Sequence, residues 1–154
     1  MTDATPWYQD IAMPALLRWG QQTYGKAMRR AVAAADCDDI PPNGMFVVGA
    51  LALGTGNGPL LGLEKALAIS KQAVGQLIDT LVLRGYLKRE ADAEDRRRIS
   101  LKLTERGWHA AAVQREARER IDAELAARMG PDAVMAARKV LGALVEIGGE
   151  VGVS

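Results

Sequence analysis

The apolar residues between positions 70 and 83 recur at the spacing of one face of a helix. They are Val74, Leu77, Ile78 and Leu81, and such a stripe is typical of a helix that packs against a core. Ser70 precedes the stripe and is suited to cap the first free N–H groups of the helix. Arg84-Gly85 follows it, where a cation meets the negative end of the helix dipole and glycine tolerates a left-handed backbone. We therefore predict a helix from Ser70 to Leu83.

Beyond this helix the hydrophobic period falls to two, which predicts a β-hairpin. Ile99, Leu101 and Leu103 alternate with polar residues, as in a half-buried strand. The predicted partner strand runs from Tyr86 to Glu90. A polar loop at 91–97 joins the two strands, and three consecutive arginines close it.

A shorter helix is predicted around residues 61–67, with a tight turn at Ala68-Ile69 before Ser70. Helix, turn, helix and hairpin in this order form a winged helix-turn-helix, whose second helix enters the DNA major groove. Residues 84–106 hold eight Lys/Arg against five Asp/Glu, a local charge of +3, whereas the whole chain carries +1. Because phosphates respond to the local field, a nearly neutral chain can still bind DNA with one face.

Three motifs in this region have the spacing found in one family of regulators. They are ISKQAVGQLIDTL-xx-RGYL at 69–87, D-x-x-D-R-R at 92–97 and LTERG at 103–107. The chain resembles the MarR-type transcriptional regulators at these residues, and more loosely over its whole length. The resemblance implies a mainly α fold in which a two-stranded β-hairpin wing accompanies the helix-turn-helix. It also implies that the first helix and the last two helices form a dimerisation region.

The remaining chain is predicted to be helical. Thr5-Pro6 is suited to open a first helix that continues to about residue 35, in which Pro14 either kinks the helix or marks its true start. Residues 36–43 read as a loop, and residues 45–53 as a short buried helix. Thr104 caps a long helix that ends near Met129. Its charge-rich stretch at 114–124 is typical of a solvated face. A last helix ends at Gly148-Gly149.

The resulting organisation is one domain at 1–154, with dimerisation helices at 1–40 and 104–150 and a winged helix-turn-helix lobe at 44–103. Three amphipathic helices exceed what one small winged helix needs, which favours a homodimer. The glycine-rich segment 54–62 has two interpretations, a phosphate-binding loop or a flexible connector. No Lys-Ser/Thr follows its glycines, which favours the connector.

Two groups of residues are the candidates for binding double-stranded DNA. On the predicted recognition helix they are Ser70, Lys71, Gln72, Gly75 and Gln76, and in the wing they are Asp95, Arg96, Arg97 and Arg98. Glutamine pairs with adenine and lysine reaches guanine or phosphate, while a wing guanidinium can enter the minor groove. By resemblance, Arg97 is the inserting arginine. Gly75 is explained either by close approach to DNA or by close packing against the preceding helix. Asp95 is a poor choice facing phosphate unless it orients an arginine side chain by a bidentate pair, which is the role expected for it here.

Family members commonly respond to a small aromatic or phenolic ligand, which makes a small-molecule effector an expectation here. Candidate pocket residues are Trp7, Tyr8, Trp19 and Tyr24 on the first helix and Trp108 on the fifth. The same aromatic residues are also consistent with ordinary core or dimer interface. Cys37 stands among aspartates after a helix end, which disfavours the thiolate and a redox role. His109 is expected to be a core or dimer-interface residue.

Composition excludes several other classes of protein. One cysteine precludes an internal disulfide, and the absence of an 18-residue apolar run or N-terminal signal predicts a soluble, cytoplasmic protein without membrane contact. No metal cluster, nucleophile–base pair or full nucleotide motif is present, so we expect no cofactor and no enzymatic activity. The expected function is a homodimeric repressor of an inverted-repeat operator, released by the effector. The alternative is a winged helix that serves protein–protein interaction without binding DNA.

Overall fold

A computed structural model of the chain describes residues 5–54 and 62–151, without the side chains of 150 and 151. Its elements in chain order are α1 (Met13–Ala34), α2 (Gly44–Ala52), α3 (Leu63–Leu67), α4 (Lys71–Leu83), β1 (Leu87–Ala91), β2 (Ile99–Leu103), α5 (Glu105–Met129) and α6 (Pro131–Val151). This order confirms the predicted mainly α winged helix-turn-helix with a two-stranded hairpin. Most of the predicted glycine connector at 54–62 lies outside the described residues.

The chain divides into two compact units, residues 1–117 and residues 118–154. The first contains α1 to α4, the hairpin and the beginning of α5, and the second contains the rest of α5 and α6. The organisation as one domain stays a prediction. No helix in the described ranges is both long and apolar enough to cross a membrane.

The start of α1 is set by Pro14. The helix begins at Met13, whereas residues 6–11 form turns in which the Gln9 N–H donates to the Pro6 carbonyl at 2.9 Å. The prediction that Thr5-Pro6 opens a helix is therefore wrong, and Pro14 marks the true start. A proline inside a helix clashes with the carbonyl four residues earlier, whereas in the first turn its missing N–H costs nothing. Consequently Trp7 and Tyr8 precede α1 and do not lie on it.

The core of the first unit draws side chains from α2, α4, both strands and α5, together with the end of α1 and the loop that follows it. Its buried members are Val32, Cys37, Val47, Val48, Val74, Leu77, Ile78, Leu81, Tyr86, Leu87, Leu103, Ala110 and Ala111. All four residues of the predicted α4 stripe are included, which confirms that interpretation. Burial of two alanines on α5 allows this helix to approach its neighbours closely.

Two further residues of α5 fit the core for reasons that the sequence pattern does not reveal. A Cβ atom on Gly107 would lie 2.2 Å from the Tyr86 carbonyl oxygen, so only glycine fits there. Gln114 is buried, and its Nε2 donates to the Met45 carbonyl at 3.1 Å. The prediction that 114–124 is a solvated face is wrong at Gln114. This polar side chain is buried because it has a partner on α2.

The second unit consists of helix throughout its described part, apart from the turn at Gly130. Gly130 adopts φ 82° before Pro131, so α5 ends as predicted. In contrast, α6 continues to Val151, and the predicted end at Gly148-Gly149 is wrong. Glycine permits a left-handed backbone but does not impose one, and neither glycine has a positive φ. An ion pair between Glu124 and Arg128 at 2.6 Å joins neighbouring turns of α5.

Candidate nucleic-acid interface

Helix α4 is positioned by its cap and by the turn before it. The Ser70 hydroxyl oxygen accepts the Ala73 N–H at 3.1 Å, as the sequence predicts. Ala68 in the turn adopts φ 51°, and the Ile69 N–H donates to the Glu64 carbonyl at 3.2 Å. With the apolar stripe of α4 buried, the opposite side is left to solvent. Lys71, Gln72 and Gln76 are exposed there, and Gly75 is half-buried beside them.

The surroundings of Gly75 decide between its two explanations. No atom beyond its own helix backbone and chain neighbours lies within 4 Å of the position that a Cβ atom would take. The described part of the chain therefore offers no packing reason for glycine at this position. Approach of an external molecule to the helix backbone is the explanation that stays open.

The hairpin is antiparallel, and its register pairs Leu87 with Leu103 and Arg89 with Leu101. On one face, Glu90 contacts Lys88 at 2.7 Å and Lys102 at 3.5 Å. The hydrogen bond from Lys88, with the charges of both lysines, lowers the pKa of Glu90 below its usual value. Strand β1 begins and ends one residue later than the predicted Tyr86–Glu90, because Tyr86 packs in the core before pairing begins.

On the other face of the hairpin, Arg89 joins the wing to α4. Its Nη2 lies 2.5 Å from Oδ1 of Asp79 on α4. The anionic Asp79 therefore has an internal partner on the wing. Both surfaces proposed to contact DNA are therefore linked to each other by one side-chain pair.

Aspartate side chains shape the tip of the wing. Asp92 Oδ1 accepts the Glu94 N–H at 2.8 Å, and Asp95 Oδ1 accepts the Arg97 N–H at 3.0 Å. These local bonds are Asx turns, in which a carboxylate replaces a backbone acceptor. Asp95 therefore holds the backbone of Arg97, and the expectation that it orients an arginine side chain is wrong in this structure. Ile99, predicted on the inward side of its strand, is 71% exposed.

The structure separates the basic residues of 84–106 into two groups. Five have internal partners, namely Arg84, Lys88, Arg89, Lys102 and Arg106. The other three are Arg96, Arg97 and Arg98, which are exposed at the tip. Within residues 5–54 and 62–151, no carboxylate forms an ion pair with these three guanidinium groups. The unpaired positive charge of the wing is thus concentrated at its tip.

The base of the wing contains a polar network that sequence reasoning missed. Tyr86 is fully buried, and its hydroxyl donates to Oδ1 of Asp39. Arg106 donates to both oxygens of the same carboxylate, from Nη2 to Oδ1 at 2.9 Å and from Nη1 to Oδ2 at 3.3 Å. Its Cζ lies 4.3 Å from the Tyr86 ring centroid. The bond from Tyr86, assisted by Arg106, lowers the pKa of Asp39, while burial and Asp39 raise the pKa of Tyr86. These partners are 47 and 67 residues apart, so no local pattern connects them.

The five candidate pocket residues do not share one environment. Trp7, Tyr8, Trp19 and Trp108 are 49% to 70% exposed, and Tyr24 is half-buried. Trp7 and Tyr8 form an edge-to-face pair with ring centroids 5.8 Å apart. Trp19 lines a shallow open depression on α1 together with Pro14, Ala15, Arg18 and Gln22. The aromatic effector pocket stays a prediction.

Two other side chains considered from the sequence have clear positions. Cys37 is buried, and its thiol donates to the Ala35 carbonyl at 3.4 Å. His109 is exposed, so its interpretation as a core residue is wrong, and the dimer-interface interpretation stays a prediction. In the portion of the chain that the structure describes, no cluster of three or more His, Cys, Asp or Glu residues is placed to hold a metal ion.

A helix-turn-helix followed by a two-stranded hairpin defines the winged helix-turn-helix class of proteins. Comparisons with known proteins show what the chain is similar to. Residues 62–98 match the sequence model described as the MarR family. No match was found among curated proteins. The family match covers α3, α4, β1 and the wing tip, and it includes two of the three sequence motifs, 69–87 and 92–97.

Solved structures of the same fold cover most of the chain. A crystal structure of MarR has 22% identity and a TM-score of 0.66, and covers 96% of this chain and 97% of that one. The reduced form of MarR from E. coli has 19% identity and a TM-score of 0.64, with coverages of 88% and 98%. S. aureus MepR bound to ethidium bromide has 17% identity and a TM-score of 0.59, with coverages of 89% and 96%. These structures show that the chain has the MarR winged-helix fold, and the match over residues 62–98 confirms the resemblance to the MarR family in that region.

Proposed function

We propose that this chain is a DNA-binding transcription regulator that acts in the cytoplasm as a homodimeric repressor of an inverted-repeat operator. The observation that carries the proposal is the sorting of charge in the wing. Five cations are used internally, while Arg96, Arg97 and Arg98 have exposed guanidinium groups without an acidic partner in the described ranges. Three unpaired cations side by side repel each other unless an anion is present, and a phosphate backbone supplies that anion.

In the proposed complex, α4 enters the major groove with the side that its core packing leaves free. Gln72 and Gln76 are suited to bidentate pairing with adenine, and Lys71 to guanine or phosphate. Ser70 at the helix start presents free backbone N–H groups near phosphate. Gly75 lets the helix backbone approach the DNA closely. The wing then reaches the adjacent minor groove, with Arg97 as the inserting residue.

Exposed apolar side chains on α6 support the homodimer. Met135, Val140, Leu141, Leu144, Val145 and Ile147 are 44% to 75% exposed in this single chain. A row of apolar residues on one helix is expected to be covered in the functional assembly. A two-fold dimer presents its recognition helices about 34–36 Å apart, which matches successive major grooves. Sedimentation of the free chain tests this part, and a monomer at micromolar concentration would contradict it.

We further propose that a small aromatic or phenolic ligand releases the repressor from DNA. Support comes from the exposed aromatic residues on and near α1, and from S. aureus MepR, which shares the fold and has a solved structure bound to ethidium bromide. Thermal-shift screening with aromatic acids, followed by measurement of operator release, tests the proposal. A ligand that stabilises the protein without changing DNA affinity would place the aromatic residues in another role.

Fluorescence anisotropy with the DNA upstream of the chain's own gene tests DNA binding. The variant is Arg97→Ala, and the matched control is Arg128→Ala, which removes an exposed arginine of the second unit that pairs with Glu124. We expect Arg97→Ala to weaken binding by about 1–3 kcal/mol and to reduce the salt slope by roughly one. The control should bind like the parent chain.

The same experiment separates DNA binding from the alternative, a winged helix that serves only protein–protein interaction. Such a module would bind the operator no more tightly than unrelated DNA of equal length. Equal salt slopes for the parent chain and Arg97→Ala would remove the wing from the mechanism, even if the parent binds DNA. These two results point to different errors in the proposal.

A further inference from the structure

The base of the wing is closed by residues that flank its two strands. Tyr86 precedes β1 and Thr104 follows β2. The Tyr86 carbonyl oxygen accepts hydrogen bonds from the Thr104 N–H at 3.1 Å and from the Thr104 hydroxyl at 3.2 Å. The Thr104 hydroxyl also accepts the Gly107 N–H at 3.1 Å, at the start of α5. These bonds make Tyr86, Thr104 and the first turn of α5 a single hydrogen-bonded base for the hairpin.

Asp39 is the residue outside the wing that holds this base. Its carboxylate accepts from Tyr86 before β1 and from Arg106 after β2, and its backbone carbonyl accepts from Arg84. Arg106 also donates to the Asp36 carbonyl at 3.0 Å and to the Arg84 carbonyl at 2.5 Å. One short segment, 36–39, thus contacts the chain on both sides of the hairpin.

The segment 36–39 is itself fixed to the end of α1. The Cys37 N–H donates to the Val32 carbonyl at 2.8 Å, and both side chains are buried in the core. The segment 36–39 therefore holds the hairpin base against the end of α1. The link at Asp39 is polar and half-exposed, with 42% and 38% of the Asp39 and Arg106 side chains accessible. It is thus a weak point compared with the apolar core around it.

We propose that Asp39 is a positioning residue, which acts through Tyr86 and Arg106 to set the orientation of the wing that the DNA complex requires. This inference rests on the proposed DNA-binding function. In the free protein, Asp39 holds the hairpin base against the end of α1. In the complex, this hold keeps Arg96 to Arg98 directed at the DNA while α4 occupies the major groove. Asp39 itself does not contact DNA.

Double-mutant cycles on operator affinity test the inference. Asp39→Asn keeps the size of the side chain but removes its charge. We expect it to weaken binding about fivefold, the factor that one half-exposed charged pair is worth. In an Arg97→Ala background the loss should nearly disappear, because the wing contact is already absent. In a Gln72→Ala background the loss should persist, because the contact that Gln72 makes with DNA does not involve the wing arginines.

Hydrogen exchange of the free chain provides a second readout that needs no DNA. Asp39→Asn should accelerate exchange of the β1 and β2 amides and leave the central amides of α4 unchanged. Tyr86→Phe, which removes one hydroxyl and retains the buried ring, should give the same pattern in weaker form. Glu124→Gln is the matched control, since it breaks an exposed ion pair in the second unit. It should change neither readout.

Each outcome decides the inference. Equal losses of affinity in both backgrounds would overturn it, because a general loss of stability acts on α4 and the wing alike. Unchanged hairpin exchange in both Asp39→Asn and Tyr86→Phe would also overturn it. If the parent chain binds no operator, the proposed function fails. In that case accelerated exchange confined to the hairpin would still support Asp39 as its anchor.

Discussion

Replacing Gly75 with alanine is expected to change folding stability and DNA affinity in opposite directions. Gly75 lies inside α4, where glycine is less favourable than alanine by about 0.8–1.0 kcal/mol. The added methyl group meets no atom within 4 Å apart from its own helix backbone and chain neighbours. No steric clash therefore offsets the gain in helix propensity. Gly75→Ala should raise the free energy of unfolding by about 1 kcal/mol, or the melting temperature by roughly 2–4 °C.

The same methyl group should weaken operator binding. If the backbone of α4 approaches the DNA at Gly75, the methyl group occupies space that the complex needs. Overpacking of a closely fitted contact costs about 1–3 kcal/mol, which corresponds to roughly a fivefold to 150-fold loss of affinity. Urea unfolding measures the first effect and fluorescence anisotropy with operator DNA measures the second.

Gly107→Ala is the contrasting control on α5. Its Cβ would lie 2.2 Å from the Tyr86 carbonyl oxygen, a backbone atom, so the added methyl group should destabilise the fold despite the better helix propensity. Gly75→Ala with raised stability and undiminished operator affinity would refute the close approach of α4 to DNA at this position. Lowered stability of Gly75→Ala would refute the structural part of the reasoning.

Three further predictions concern stability. Ser70→Ala should lower the free energy of unfolding by about 0.5–2 kcal/mol, because the Ala73 N–H loses its cap; an unchanged urea midpoint would contradict this. Gln114→Ala should cost about 1–3 kcal/mol through the lost bond to Met45, whereas exposed Gln76→Ala should stay within about 0.5 kcal/mol; equal costs by urea unfolding would refute the burial argument. Tyr86 and Arg106 lower the pKa of Asp39 below 3.8 in the folded chain. The ionised Asp39 therefore adds to the free energy of unfolding above pH 3.8, and this contribution is lost as the pH falls through the lowered pKa. In acid, the free energy of unfolding should therefore fall less steeply with decreasing pH in Asp39→Asn than in the parent chain. Identical slopes in the two chains would contradict this.

The candidate site was predictable where it depends on neighbours in the sequence. The α4 stripe, the Ser70 cap and the left-handed turn at Gly85 follow from interactions within a few residues. Such interactions are encoded by local spacing and residue type. The sequence therefore predicted which surface of α4 stays exposed and which segment carries the three arginines.

The errors arose where two local signals competed. Thr5-Pro6 and Pro14 both fit the start of a helix, and only the later proline is compatible with the observed α1. Gly148-Gly149 resembled a helix end, yet the backbone there continues α6. Gln114 resembled the charged residues that follow it, although its amide has a buried acceptor on α2. In each case, the preference of one residue type was outweighed by its surroundings.

By itself, the sequence determined the order of the elements, the helix caps and the basic character of the wing, since these depend on residues close together along the chain. The tertiary structure alone decided which charges of the wing are used internally and which are left at its tip. Arg89 meets Asp79 on α4, and Arg106 meets Asp39 beyond α1. These pairs join residues 10 and 67 positions apart, and the packing of the hairpin against the helices rather than local propensity brings them together. Their physical consequence is that Arg96 to Arg98 hold the unpaired positive charge of the wing.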